Sequence, residues 1–552
     1  MKLHSIISAS LILFSAIDAA AADNRAWVPD MADGTYINPV INADYSDPDV
    51  VAVGKDFYMT ASSFGCAPGL PILHSTDLVN WEIVNYALTE VPPADFYGAA
   101  PRHGKGVWAP SIRFHNGEYF IYWGDPDFGI FMVKTADPTG KWSEPVLVKA
   151  GKGMIDPTPL WDDDGKVYLV HAWAGSRAKF NSVVTVCELS ADGTKVISQP
   201  VMVFDGNDGV NHTIEGPKIY KRNGWYYIFA PAGGVVDGWQ LVLRSRDIYG
   251  PYESKIVMAQ GDSPVNGPHQ GAWVDTDKGE SWFIHFQDRG AYGRVIHLNP
   301  MQWINDWPVI GEDKDGDGCG TPVMRHRKPA VSTPSAIRVP ATSDDFNSRR
   351  LGLQWQWHAN YNDTYGFGSD LGFMRLYSHI LSPGAPNYWE VPNLLLQKFP
   401  AEEFTATAKV RISAKGQTEG VVSGLIVMGW DYAALGLEKT GDCFTLRLNT
   451  CTDAEQGTPQ TSRIIATVAP TRVYAAGLNP NMECDIWLRV KVKKGAICEF
   501  SYSTDGRRFT RAGSDFKARA GKWIGAKVGI FSTAPAGSER GWIDIDSFTV
   551  TK

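Results

Sequence analysis

Three acidic residues, Asp47, Asp156 and Glu215, stand at equivalent places in a motif that recurs along the first half of the chain. Trp108 and His269 hold the same place in two further copies. If the copies converge, three carboxyls, an indole and an imidazole share one small space. Crowding like charges is costly, and proteins tolerate that cost mainly at functional sites. Hydrolysis of a glycosidic bond needs this combination: one carboxylic acid protonates the departing oxygen, and one carboxylate activates water or attacks carbon. Asp47 is the candidate general base. Glu215 is the candidate general acid, its longer side chain suited to reaching the glycosidic oxygen. Asp156 is the candidate pKa modulator, keeping the acid protonated and oriented. Taken singly, Asp47 and Asp156 read as turn formers before proline and Glu215 as a loop charge. The joint pattern outweighs those plainer readings.

The motif also defines the elements that must position these residues. Each copy passes from a polar or aromatic residue and a proline or small turn into an apolar strand. An Asp/Asn-Gly type turn and an aromatic-rich strand follow. The copies are Asp47-Pro48 with VVAVGKDFYMTAS, Trp108-Ala109-Pro110 with SIRFHNGEYFIYW, and Asp156-Pro157 with TPLWDDDGKVYLVHA. Glu215-Gly216-Pro217 with KIYKRNGWYYIFA and His269-Gln270-Gly271 with AWVDTDKGESWFIHF complete the set. Their starts lie roughly 47 to 62 residues apart, the length of a four-stranded blade with its loops. Five such units predict a five-bladed β-propeller, whose innermost strands line one channel. Strand-like alternation dominates throughout, so the chain is all-β.

At 552 residues the chain is too long for one ordinary core. Residues 329–342 (PAVSTPSAIRVPAT) are rich in Pro, Ser and Thr and read as a linker. Beyond them come FTATAKVRI, CFTLRL, IWLRVKVKKGAICEFSYSTDG and WIDIDSFTV, which carry no blade repeat and predict a jelly-roll-like β-sandwich. The expected boundaries are a signal peptide over 1–22, the propeller over 23–335 and the sandwich over 336–552. Lys2, the apolar stretch from Leu3 to Ile17 and the small residues Ala19 to Ala22 form the export signal, so a periplasmic or secreted protein without a membrane span is expected. A net charge of −8 and the lack of a Lys/Arg run argue against nucleic acid as a partner. The seven cysteines include no CxxC pair, which argues against a zinc site. They read as mostly buried free thiols, with one bridge in the C-terminal half left open. Residues 313–318 (DKDGDG) match the first half of a calcium loop, but Met324 stands where its bidentate acid belongs, so a solvated turn is the stronger reading.

The repeat starts, linker and second domain together resemble glycoside hydrolase family 43, in the branch of β-xylosidases and α-L-arabinofuranosidases with a C-terminal concanavalin A-like sandwich. The matching segments are NPVINADYSDPDV, GVWAPSI, MIDPTPLWDDDGKVYLV, IEGPKIY, GPHQGAW and, at the sandwich, DDFNSRRLGLQWQW. The resemblance implies an inverting exo-hydrolase acting on arabinose- or xylose-containing glycans, with arabinofuranosides weighed slightly ahead. It implies that Arg294 reaches the substrate near the pocket floor. Trp108, Phe64 and Trp173 would stack on the sugar or wall the pocket, each with a core role as its alternative. His269 matches a histidine that in several members sits beside a central divalent ion, often calcium, which the family does not require everywhere. A structural histidine on the axis weighs equally, and no cofactor is required. The resemblance also implies that the sandwich lends a loop to the pocket. The other readings carried forward are a non-catalytic glycan-binding protein and an endo-arabinanase on the same propeller.

Overall fold

The computed structural model describes residues 24–333, 335–416, 419–474 and 481–552; the export signal expected over residues 1–22 lies outside them. The regular elements of the described residues are almost all strands. Five four-stranded antiparallel sheets follow one another in chain order, each built from four consecutive strands. Their innermost strands are Asp49–Val53, Trp108–His115, Met154–Trp161, Lys218–Arg222 and His269–Asp275. This is a five-bladed propeller, and the five recurring motifs mark the starts of its inner strands.

Polar side chains tie the inner strands around the axis. Ser111 Oγ donates to Pro157 O at 2.7 Å and Thr158 Oγ1 to Pro217 O at 2.8 Å. Ile112 N donates to Asp49 Oδ2 at 2.8 Å, and Lys218 Nζ reaches across to Pro110 O at 2.6 Å. The ring closes through the N-terminal segment. Thr35–Ile37 pairs with Arg325–Arg327. Asn38 donates to Leu298 O and Val323 O and accepts from Leu298 N, which staples that segment to the fifth blade.

The second domain stacks two large sheets. Along Phe404–Ser413 and Asn481–Lys493 burial alternates, as expected for strands with one face on a core. The enclosed face brings Val410, Ile412, Leu425, Leu435, Leu488 and Ile530 together in one apolar core. All seven cysteines are unpaired, five of them buried, so the C-terminal bridge is not formed. Among the described residues, no helix is long and apolar enough to cross a membrane.

The domains are docked through backbone and side-chain contacts. Ala67 and Trp357 exchange hydrogen bonds at 3.2 and 2.7 Å. Asn360 accepts from Val91 N at 2.7 Å and donates to Val91 O at 3.0 Å. His103 of the propeller stacks on Trp389 of the sandwich, ring centroids 3.7 Å apart.

Candidate active site

Asp47, Trp108, Asp156, Glu215 and His269 all lie at or just before the N-terminal ends of inner strands, so they gather at one end of the channel. Local irregularity aims them. The pairing of the inner strand with its neighbour slips after Trp108, after Ile155 and after His269, and bulges of this kind redirect side chains beside active sites. Asp47 and Asp156 both have φ of 57° and Gln270 has φ of 34°. Non-glycine residues pay for such backbone, and the cost is characteristic of functional positions.

The three acids sit in unlike surroundings. Asp47 accepts from Ser46 Oγ at 2.7 Å and Ser62 Oγ at 2.5 Å on one oxygen, and from Arg294 Nη1 at 3.2 Å on the other. Arg294 Nη1 also donates to Ser46 Oγ at 2.8 Å, so a guanidinium and two hydroxyls fix one carboxylate. Asp156 is buried; its Oδ2 accepts from Gly216 N at 2.7 Å and from Gln270 Nε2 at 3.4 Å. Burial first, then the charges of Glu215 and Asp47, push the Asp156 carboxyl well above the usual carboxylate range, while the Gly216 N–H and Lys218 pull it back. Glu215 and Asp47 thus both lie within electrostatic reach of Asp156. Glu215 is the accessible member: its side chain is 29% exposed, against 6% for Asp47. Its Oε1 meets His269 Nε2 at 3.0 Å.

Beneath them lies Lys218, fully buried, 4.0 Å from Asp49 Oδ2. Burial pushes its ammonium down, and Asp49, Asp156 and Asp47 push it up against the opposing charge of Arg113. The acids therefore rest on a buried cation.

Trp108 donates its indole N–H to Gly104 O at 3.0 Å and packs against Ile155, the neighbour of Asp156. Phe64 is buried, with backbone bonds in both directions to Val107, next to Trp108. Trp173 donates to Thr185 Oγ1 at 3.3 Å, packs on Phe180 and lies against the apolar cluster shared by the second and third blades. Arg294 lies beside Asp47 and Phe286. Ser46, Ser62, Lys218 and Gln270 join the site without having been singled out from sequence. So does Trp523, carried by a sandwich loop. Its ring stands edge-on to Trp108 with centroids 6.3 Å apart, and the Arg294 guanidinium lies 5.8 Å from it.

His269 Nδ1 is buried without a hydrogen-bond partner, as a nitrogen facing water or an ion would be. Among the described residues, the one group of three His, Cys, Asp or Glu side chains close enough to hold an ion together is Asp313, Asp315 and Asp317 on an outer loop. A channel ion would therefore draw a single nitrogen from His269 rather than a protein cage, and no chemical step is built on it. The outer loop is a self-capped turn: Asp313 accepts from Gly316 N at 2.8 Å and Gly318 N at 3.0 Å.

Comparison with known proteins agrees with this architecture. Residues 36–308 match the model for glycosyl hydrolases family 43, and residues 343–551 match the beta-xylosidase C-terminal concanavalin A-like domain. A Xylanibacter ruminicola protein, provisionally named a beta-xylosidase, is 37% identical over 94% of this chain and 89% of its own length. A beta-xylosidase of Formosa agariphila is 30% identical over 96% of this chain and 93% of its own. A crystal structure of a family 43 protein from Bacillus licheniformis superimposes with a TM-score of 0.77 at 25% identity, covering 94% of this chain and 99% of that one. With two domain models in the expected order and relatives aligned end to end, the chain belongs to glycosyl hydrolase family 43 and is a glycosidase.

Proposed function

We propose that this glycosidase removes single terminal pentosyl residues from plant glycans with inversion, taking β-D-xylosides ahead of α-L-arabinofuranosides. The observation that carries the reading is the contrast among the three acids: one carboxylate held by two hydroxyls and a guanidinium, one buried carboxyl pushed well above the usual carboxylate range, and one accessible carboxyl on a histidine. Asp47, an acceptor on both oxygens, takes a proton from water as the water oxygen bonds to the anomeric carbon. Glu215 gives its proton to the glycosidic oxygen as the carbon–oxygen bond breaks, and the aglycone leaves as an alcohol. Asp156 holds the Gly216 peptide next to Glu215, which orients the acid, and its burial beside Glu215 and Asp47 makes it reluctant to ionise. Arg294 and Trp523 face the sugar, with Trp108 behind. The family membership sets aside a non-catalytic glycan-binding role. A wall from the second domain favours a closed pocket over the open groove of an endo-arabinanase.

The preference for xylosides is supported by the naming of the relatives at 37% and 30% identity, whereas the Bacteroides ovatus non-reducing end alpha-L-arabinofuranosidase is 28% identical. Export to the periplasm or exterior, where such glycans are met, follows from the N-terminal sequence. The test is product analysis on xylo- and arabino-oligosaccharides, with the anomer of the first-formed sugar followed by NMR. Single pentoses of inverted configuration, xylose fastest, are expected. Internal cleavage or retained configuration would refute the reading.

A further inference from the structure

Asp44 is a buried carboxylate three residues before Asp47, and the chemistry above does not use it. Its two oxygens serve different domains. Oδ1 accepts from the backbone N–H of Arg294 at 2.9 Å. Oδ2 accepts from the backbone N–H of Gly525, in the sandwich, at 2.9 Å. The approach around it is tight. A Cβ on Gly525 would lie 2.7 Å from Gly293 N, and one on Gly293 would lie 2.5 Å from Asp44 Cβ and Cγ. Gly293 has φ of 74°. A third bond, Ala526 N to Ala291 O at 2.8 Å, runs alongside. The sandwich loop is thus pinned to the residues leading into the strand that Arg294 opens. Trp523 is two residues from Gly525, has φ of 65°, and presents its ring to Trp108 and Arg294 while remaining 49% exposed. Its own burial does not hold it in place; the loop's anchorage does.

We infer that Asp44 is a positioning residue that sets Arg294 and Trp523 at once, making the width of the sugar pocket depend on how the sandwich is docked. The inference rests on the reading in which Arg294 and Trp523 face the sugar. A carboxylate suits the task because both of its partners are N–H donors. An amide offers one acceptor and turns its own N–H₂ toward the other donor, so Asp44→Asn must release one side.

The test uses the full-length chain. In hydrogen exchange, Asp44→Asn should speed exchange of the peptides spanning 291–296 and 521–526 together, leaving the sandwich core protected. In steady-state kinetics on xylobiose, KM should rise about 10-fold with a smaller change in kcat. Gly525→Ala, which intrudes on the same contact from the other domain, should reproduce both effects. In a Trp523→Ala background, the KM effect of Asp44→Asn should shrink to the part that acts through Arg294. Unchanged exchange in either peptide would overturn the clasp. A KM effect that survives in full without Trp523, or no KM effect despite faster exchange, would overturn its positioning role. If the unaltered enzyme does not act on pentosides, the functional reading fails on that result, and the exchange experiment still decides whether Asp44 joins the two segments.

Discussion

Replacing Glu215 by Gln tests the division of labour most directly. The amide can still meet His269 Nε2, whose contact with Oε1 is 3.0 Å, so the fold should be undisturbed. What is lost is the transferable proton. General acid catalysis contributes about 10²- to 10⁴-fold, or about 3–5 kcal/mol at ~1.36 kcal/mol per factor of ten. The structure selects the upper end, because neither neighbour can substitute. Asp156 is buried at 2% exposure and tied to Gly216 N. Asp47 is occupied by Ser46, Ser62 and Arg294. On xylobiose, whose leaving alcohol needs the proton, kcat should fall by about 10³- to 10⁴-fold. On an aryl xyloside with an acidic phenol the loss should shrink to about tenfold or less, since that oxygen departs without protonation. The assay is a series of aryl xylosides ranked by phenol acidity, with melting temperature as a control. An equal loss on every substrate, or activity on xylobiose within tenfold of the parent, would refute the assignment of Glu215 as proton donor.

Three other outcomes follow from the geometry. Ser62→Ala removes one of the hydroxyl donors to Asp47 Oδ2, a bond to a charged group worth about 1.5–3 kcal/mol, so kcat should drop about 10- to 100-fold on all substrates alike, unlike Glu215→Gln. Lys218→Met leaves Asp49 and the acid cluster over an uncompensated buried site and should destabilise the fold by about 3–5 kcal/mol in denaturant titration; a change below about 1 kcal/mol would show that Arg113 alone balances Asp49. His171 and His285, both fully buried, are pushed down to about 4 by desolvation from an ordinary value of 6.5. The unfolded chain therefore binds more protons below pH 6.5, so stability is fully present above that pH and falls toward pH 4, by up to ~3 kcal/mol per histidine. Melting temperature measured across that interval should decline, and a flat profile would contradict it.

Much of this site was legible because the chemistry sits at the starts of inner strands, where a propeller repeats both its turn and its strand. Asp47, Asp156 and Glu215 share a sequence context because they share a place in the fold, and the channel does the rest. Ser62 and Asp44 escaped notice because they act through contacts the repeat does not encode. Ser62 comes from beyond the end of the second strand of its blade, and Asp44 holds a partner 481 positions away. Lys218 carries no sequence signal of its depth, since lysines are seldom fully buried. Only the ring of acids above and beside it explains its depth. Trp523 lies in a short stretch bracketed by Gly521 and Gly525, a loop signal, but nothing local reveals that the loop reaches the other domain. Trp173, at the end of the second strand of its blade, shows the converse: its packing on Phe180 depends on a residue the repeat does not encode.

The two sides of the pocket are held by different means, and this separates reactivity from selectivity. The acids stand on left-handed backbone at Asp47 and Asp156, clamped by hydroxyls, peptide N–H groups and a guanidinium that all belong to the propeller. Of these clamps Arg294 alone is tied to the sandwich, through the bonds of Asp44 to Arg294 N and Gly525 N. The facing wall, Trp523, belongs to the sandwich and is suspended from a turn closed by Gly521 N to Ile524 O at 2.8 Å and from the bond of Gly525 to Asp44. On the proposed reading, changes in residues 521–526 should therefore act on sugar fit more than on proton transfer, whereas changes in the blades should act on both.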